Sequence, residues 1–305
     1  MAEEVAAALP AIPDFVVVDT DNHRVVKWTA GAPEGTVVAG GNGEGDEPNQ
    51  LSVPCGVAVD TDGSIVVVDC GNARVMRWAP GAKEGAVIAG GNEEGDGLNQ
   101  LNCPCGVAIG RDGTLFIGDC ANHRVLAWGK GAKEGCVVAG GSRGSALNQL
   151  SSPNGVALGR DGAVYVADIE NNRIVRWAPG SREGVLAAGA VDGPCGVHVT
   201  LTGDVVVSER GSQMRNYRLT RWRPGAEEGV VVAGNNGHGS GEEQLQLPWG
   251  MAETADGGFL VVDSGNHRVM YWARGASQGV VVAGGNGRGT GAHQFKSPCG
   301  IAFCP

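Results

Sequence analysis

Pro54-Cys-Gly-Val-Ala-Val-Asp60, a turn at Asp62-Gly63, Ile65-Val-Val-Val-Asp69, a turn through Gly71-Asn72, Arg74-Val-Met-Arg-Trp78, then Ala86-Val-Ile-Ala-Gly-Gly91: this stretch decides the fold. Four short runs rich in Val and Ile are separated by Gly, Asn, Asp and Pro, which is the pattern of four strands joined by tight turns. The same text recurs along the chain. Trp28, Trp78, Trp128, Trp177, Trp222 and Trp272 are spaced by 50, 50, 49, 45 and 50 residues, and similar runs surround each one. Each copy therefore predicts a four-stranded antiparallel meander, with strands named a to d in order. One such sheet cannot bury both faces, so six copies are expected to close into a ring, a six-bladed β-propeller in which every blade is covered by two neighbours.

The ends of the chain predict how the ring closes. The first copy begins at a b strand, Phe15-Val-Val-Val-Asp19, with no Pro-x-Gly strand before it, and the missing strand a stands at the other end as Pro298-Cys-Gly-Ile-Ala-Phe303. Six Pro-x-Gly starts, at Pro54, Pro104, Pro153, Pro194, Pro248 and Pro298, then match six Trp. The expected organisation is a tail over residues 1–13 and a single propeller domain over 14–305.

Composition agrees with an all-β class. The 305 residues include 53 Gly, about one in six and more than twice the usual share, too many for long helices and well suited to many turns. Gly follows no three-residue period, and no apolar run approaches the ~20 residues of a membrane span. A net charge of −10 disfavours general binding to a phosphate backbone, so RNA is the weaker partner class. The opening Met1-Ala-Glu-Glu is acidic where a secretory signal is basic, and nine cysteines form no small-domain framework; both point to a reducing, cytoplasmic setting.

Asn22-His23-Arg24, Asn122-His123-Arg124 and Asn266-His267-Arg268 follow Asp19, Asp119 and Asp263, with Trp four places beyond each Arg; Asn72-Ala-Arg74, Asn171-Asn-Arg173 and Asn216-Tyr-Arg218 are variants. This pattern, with the Asn-Gln-Leu of the connections at 49, 99 and 148, resembles the NHL repeat family over about residues 14 to 303. The resemblance implies a six-bladed propeller. It also implies a binding module of the kind that recognises substrates in ubiquitin-ligase systems or binds RNA. The RING and B-box zinc spacings of such ligases are absent here. Related six-bladed propellers include metal-dependent lyases and lactonases, for which His198 and Glu253 are the suggestive side chains on inner strands. No catalytic set converges in the sequence, and no cofactor or metal is expected.

A residue type repeated in every blade is expected to build the blade. The Asp-x-x-Asn-x-Arg turn thus reads as bracing, with one Arg per blade holding its neighbour, and the Trp as an anchor between sheets. Cys55, Cys105, Cys195 and Cys299 fill the x of Pro-x-Gly and are expected to ring the channel mouth, as a thiol or soft-metal ring in the functional reading and as small buried apolar residues in the structural one. A two-residue turn at Asp62-Gly63 places Cys55 opposite Cys70, and the equivalent turn places Cys105 opposite Cys120.

Function is expected where the repeat breaks. The connection into the copy beginning at Pro194 is reduced to Ala190-Val-Asp-Gly193, its b strand ends in Ser208-Glu209, and Ser212 to Arg215 are inserted before Asn216. Arg210, Arg215 and Arg223 are added beside Arg218 and Arg221, and Trp249 fills the next Pro-x-Gly start. These six residues are the candidate contact set for a protein or peptide partner. Fork-shaped guanidinium groups suit an acidic or phosphorylated segment.

Overall fold

The computed structural model describes residues 9–29, 32–211 and 216–305. Among them the chain forms six sheets of four antiparallel strands, arranged as a ring of blades. Blade 2 shows the pattern: strand a Pro54–Val59, b Ile65–Asp69, c Arg74–Trp78 and d Ala86–Gly90. Blade 1 takes its strand a from Pro298–Phe303, which pairs with Phe15–Asp19 through Phe15↔Phe303 and Val17↔Ile301. The C-terminal strand thus closes the ring. No helix among the described residues is long and apolar enough to cross a membrane.

The b strands read as near-continuous apolar runs because both faces of each blade are covered. Six cores lie between adjacent blades, and each holds the Trp that ends strand c: Trp78 packs with Val16, Val18 and Val25 of blade 1 and with Val67 and Met76 of its own blade. Leu51 plugs the same core from the connection between blades, as Leu101, Leu150, Leu245 and Phe295 do elsewhere; all five are fully buried. Burying each such side chain is worth roughly 1.5–3 kcal/mol. Ile12, placed in the tail by the sequence, also packs into the core between blades 6 and 1.

Strand a lines the axis, and its glycine sets how tightly the ring closes. A Cβ on Gly56 would stand 2.4 Å from the Cys105 carbonyl oxygen, and Gly106, Gly155, Gly196, Gly250 and Gly300 each meet the corresponding carbonyl of the next blade in the same way. Only a residue without a side chain permits that approach.

The a–b turn differs from the expected two-residue hairpin. Asp60 N–H donates to Ser64 O, Gly63 N–H donates to Asp60 O, and Gly63 sits at φ 79, which makes a three-residue loop ending in a left-handed glycine. The register moves accordingly: Val59 faces Ile65 and, beyond a bulge, Pro54 faces Asp69. Cys55 therefore lies in the bulge and not opposite Cys70, and Cys105 stands likewise relative to Cys120.

Candidate functional site

The b–c turns and the d-to-a connections share one face of the ring, here the loop face. In blades 1 to 4 and 6 its architecture is constant. The Asp that ends strand b is fully buried and accepts the Arg Nε at 2.7 Å and the Asn Nδ2 at 2.8 Å. The Arg then reaches across to the incoming connection: Arg74 Nη1 donates to Asp46 O, Nη2 to Glu47 O and Gln50 O, while Asn72 donates to Gly45 O. Burial lifts the carboxyls of Asp19, Asp69, Asp119 and Asp263 above the ordinary range, against the pull of their donors. The motif is a brace between a blade and the loop that enters it. Three histidines complete the latch. His23, His123 and His267 take left-handed φ of 51, 53 and 54, and their Nδ1 atoms accept the backbone N–H of Val53, Ser152 and Ser297 in the next connection.

Blade 5 (a Pro194–Val199, b Val205–Glu209, c Arg218–Trp222, d Val230–Gly234) keeps the plug and loses the brace. Val191 is buried where the other connections place Leu or Phe. Glu209, also fully buried, stands for the Asp and accepts Asp192 N–H and Arg218 Nη2, each at 2.9 Å, with Thr220 Oγ1 as a third donor. One extra methylene turns the guanidinium round. Arg218 now meets the carboxylate through Nη2, its Nε is buried without an acceptor, and Nη1 has only Asn235 Oδ1 at 3.5 Å. The three carbonyls that each counterpart holds are gone, because the connection that would carry them is cut to Ala190–Gly193.

The shortened connection and the b–c turn are neighbours, as the sequence predicts: Arg210 N–H donates to Gly193 O and Gly211 N–H to Asp192 O. The arginines, however, divide between two faces. Arg210 and Arg218 stand on the loop face. Arg221 lies near the far end of strand c and pairs with Asp204 at 2.7 Å, and Arg223 follows that strand on the opposite face, so neither joins the cluster. Arg215 lies outside the described residues. Arg210 is exposed and its guanidinium has no ion-pair partner among the described residues, whereas Arg143 and Arg288 on the same face pair with Glu170 and Asp21, each at 3.2 Å.

At the axis Trp249, Cys55, Cys105 and Cys195 line a cavity of ≈ 100 Å³. The thiols do not gather into one ring. Cys55 donates to Pro104 O at 3.2 Å and Cys105 O at 3.3 Å, and contact with Cys105 and Cys70, then burial, pushes its thiol up. Hydrogen bonds from Cys120 and Cys55 hold the Cys105 thiol well below the usual range. Burial pushes Cys195 up to about 12 and Cys299 up to about 11. Among the described residues, no group of three or more His, Cys, Asp or Glu is arranged to hold a metal ion. His198 and Glu253, named by the lyase and lactonase comparison, meet across blades 5 and 6 at 3.3 Å, with the imidazole edge-on to Phe259. Larger cavities, of ≈ 750 and ≈ 570 Å³, lie on the rim between blades 1 and 2 and between blades 3 and 4, at equivalent places beside the outer strands. Their recurrence marks them as products of blade packing.

The NHL repeat family model matches residues 51–77, 101–128 and 150–177, each running from a plugging Leu through the brace of blades 2, 3 and 4. Three of the six blades thus carry NHL repeats. Two solved structures share the fold. A chain of a nidogen/laminin complex superposes with a TM-score of 0.70 at 14% identity, covering 96% of this chain and 99% of that one. A protein of unknown function from Bacteroides thetaiotaomicron gives 0.63 at 16% identity, covering 92% of this chain and 76% of its own. No curated protein sequence matches this chain. The sequence points to blade 5 through its deletion and its added Arg. It does not reveal that Arg218 and Asn216 lose their acceptors, although the deletion itself was the available signal.

Proposed function

We propose that this propeller is an interaction scaffold that binds a protein partner on the loop face of blade 5, through an acidic or phosphorylated segment. The observation that carries the reading is Arg210, exposed and without an ion-pair partner among the described residues, beside a connection cut to four residues, on a face where Arg143 and Arg288 have carboxylate partners. A guanidinium in that position offers a bidentate fork to a carboxylate or phosphate. The axial cavity is small against the ~300–1,000 Å³ of a typical small-molecule site, which favours binding on the face over binding in the channel. A nidogen/laminin complex holding a chain of this fold is in keeping with a protein partner. On this reading the propeller would be the recognition module of any ubiquitin-ligase system it serves.

The test is capture of partners by the immobilised chain, by its Arg210→Glu variant, and by an Arg223→Glu variant altered on the opposite face. Capture should fall about tenfold with Arg210→Glu and persist with Arg223→Glu and after nuclease treatment. Equal capture by all three chains, or loss on nuclease treatment alone, removes the proposal; the second outcome would indicate RNA. Phosphatase treatment of the source separates phosphate from carboxylate recognition.

A further inference from the structure

We infer that blade 5 is an acceptor site for loop complementation: a Gly-containing acidic loop of the partner occupies the place of the missing connection and supplies backbone carbonyls to Arg218 and Asn216. This deepens the proposed function and rests on the same recess. The chain itself shows the required occupant five times. In each of the other blades a connection of the type Gly41-Asn-Gly-Glu-Gly-Asp-Glu-Pro-Asn-Gln-Leu51 presents one carbonyl to the Asn and three to the Arg. The acceptors are Gly45, Asp46, Glu47 and Gln50 in blade 2, Gly144, Ser145, Ala146 and Gln149 in blade 4, and Gly239, Ser240, Gly241 and Gln244 in blade 6.

In blade 5 the donors remain and the acceptors are missing. Asn216 is exposed with no hydrogen-bond partner among the described residues, and Arg218 keeps a buried Nε without an acceptor. A buried donor left without an acceptor is costly; in the counterparts Nε lies on the carboxylate and both Nη groups on arch carbonyls, so an arch that draws Arg218 into that orientation removes the cost. The part of the connection that seals the core is retained. Val191 fills the plug site, and Asp192 N–H reaches Glu209 as Ser52 N–H reaches Asp69 in blade 2. What is absent is therefore only the outer arch, a segment that can come from another chain without opening the core. Its composition follows from its surroundings. Glycine lets the arch fold tightly on itself, since a Cβ at Gly45 would stand 2.1 Å from Oε1 of Gln50 in the same arch, and an acidic side chain beside it would find Arg210, which has no ion-pair partner among the described residues.

Two measurements test this. In the first, a labelled peptide with the sequence of residues 43–50, Gly-Glu-Gly-Asp-Glu-Pro-Asn-Gln, is titrated into the full chain and followed by fluorescence anisotropy. Saturable binding is expected, weakened about tenfold by Arg218→Gln and also weakened by Asn216→Ala, whose exposed site leaves folding intact. In the second, Ala190 is replaced by the residues of 41–50, restoring the arch within blade 5. The graft should fold, melt at a higher temperature than the parent, and lose both the peptide and the captured partner. Equal peptide binding by parent, graft and both variants overturns the inference. Capture that depends on Arg210 yet survives the graft overturns loop complementation and leaves the scaffold reading standing. Graft-sensitive peptide binding with partner capture indifferent to Arg210→Glu supports the recess and removes the scaffold reading.

Discussion

At the residue scale the brace was legible because it repeats. An Asp, an Asn and an Arg at fixed spacing in one copy after another have a structural duty, and the structure gives it as a buried carboxylate gripped at 2.7 Å by an Arg that also holds three carbonyls. The histidines were not legible in the same way. Their acceptor role depends on an N–H in the next connection, 30 residues on for His267, and only assembly of adjacent blades brings the two together. His267 also carries a pH consequence. Burial, with Arg288 nearby, lowers its pKa from the ordinary 6.5, and Nδ1 can accept Ser297 N–H only while unprotonated. The folded state thus binds fewer protons than the unfolded one. Its stabilising contribution is full above pH 6.5 and is lost as pH falls below that value through the lowered folded-state pKa. Urea midpoints should drop between pH 7.5 and pH 5, and His267→Ala should flatten part of that slope; an identical slope in the variant contradicts the latch.

At the scale of the element, strand a was predicted correctly in place and incorrectly in register. The apolar run and the Pro-x-Gly start locate the strand. The pairing of its far end depends on whether the turn has two residues or three, and Gly63 at φ 79 chose three. Moving the pairing by one residue, with the bulge beyond it, took Cys55 and Cys105 out of register with Cys70 and Cys120, although the thiols of each pair still meet. The glycine of the same strand meets a stricter test. A Cβ on Gly155 would lie 2.6 Å from the Cys195 carbonyl oxygen and 3.0 Å from Val197 N, both backbone atoms that cannot rotate aside. Gly155→Ala should therefore destabilise by roughly 1–3 kcal/mol through overpacking at the axis, read as a lower urea midpoint. An unchanged midpoint would mean that the inner strands are looser than these distances require. Strand c misled for a related reason. Arg218, Arg221 and Arg223 are close in sequence, yet an extended chain rises ~3.4 Å per residue and carries the first and last to opposite faces.

At the scale of the molecule, closure is the decisive event. Blade 1 owes its inner strand to Pro298–Phe303, so the two ends of the chain are held in one sheet. Deleting Pro298–Pro305 would uncover the edge of Phe15–Asp19 and the core around Val57 and Ile65. The truncated chain should melt lower and associate with rising concentration, as followed by light scattering on a sizing column; a monomer of unchanged melting temperature argues against closure as a source of stability. The ring also explains how a lesion in one blade can become a site. With five braces intact, the scaffold tolerates blade 5 with its donors unsatisfied, in the manner of a repeat protein whose stability is shared among neighbours.

The sequence by itself determined the six blades, the Trp anchors, the clasp and the copy that departs from the rest, because each is written as periodicity or as its interruption. Tertiary structure alone decided which residues of that copy stand together. Arg210 and Arg218 share a face with the shortened connection while Arg221 and Arg223 do not, and of the cysteines at the channel mouth Cys55 and Cys105 meet across blades, and each also meets a thiol of its own blade, Cys70 or Cys120, instead of closing one ring. The physical reason is that periodicity specifies each repeat through its own short-range pattern. The acceptors of an Arg, the partner of a His and the neighbours of a thiol are set by the blade alongside, and that relation exists only once the ring has closed.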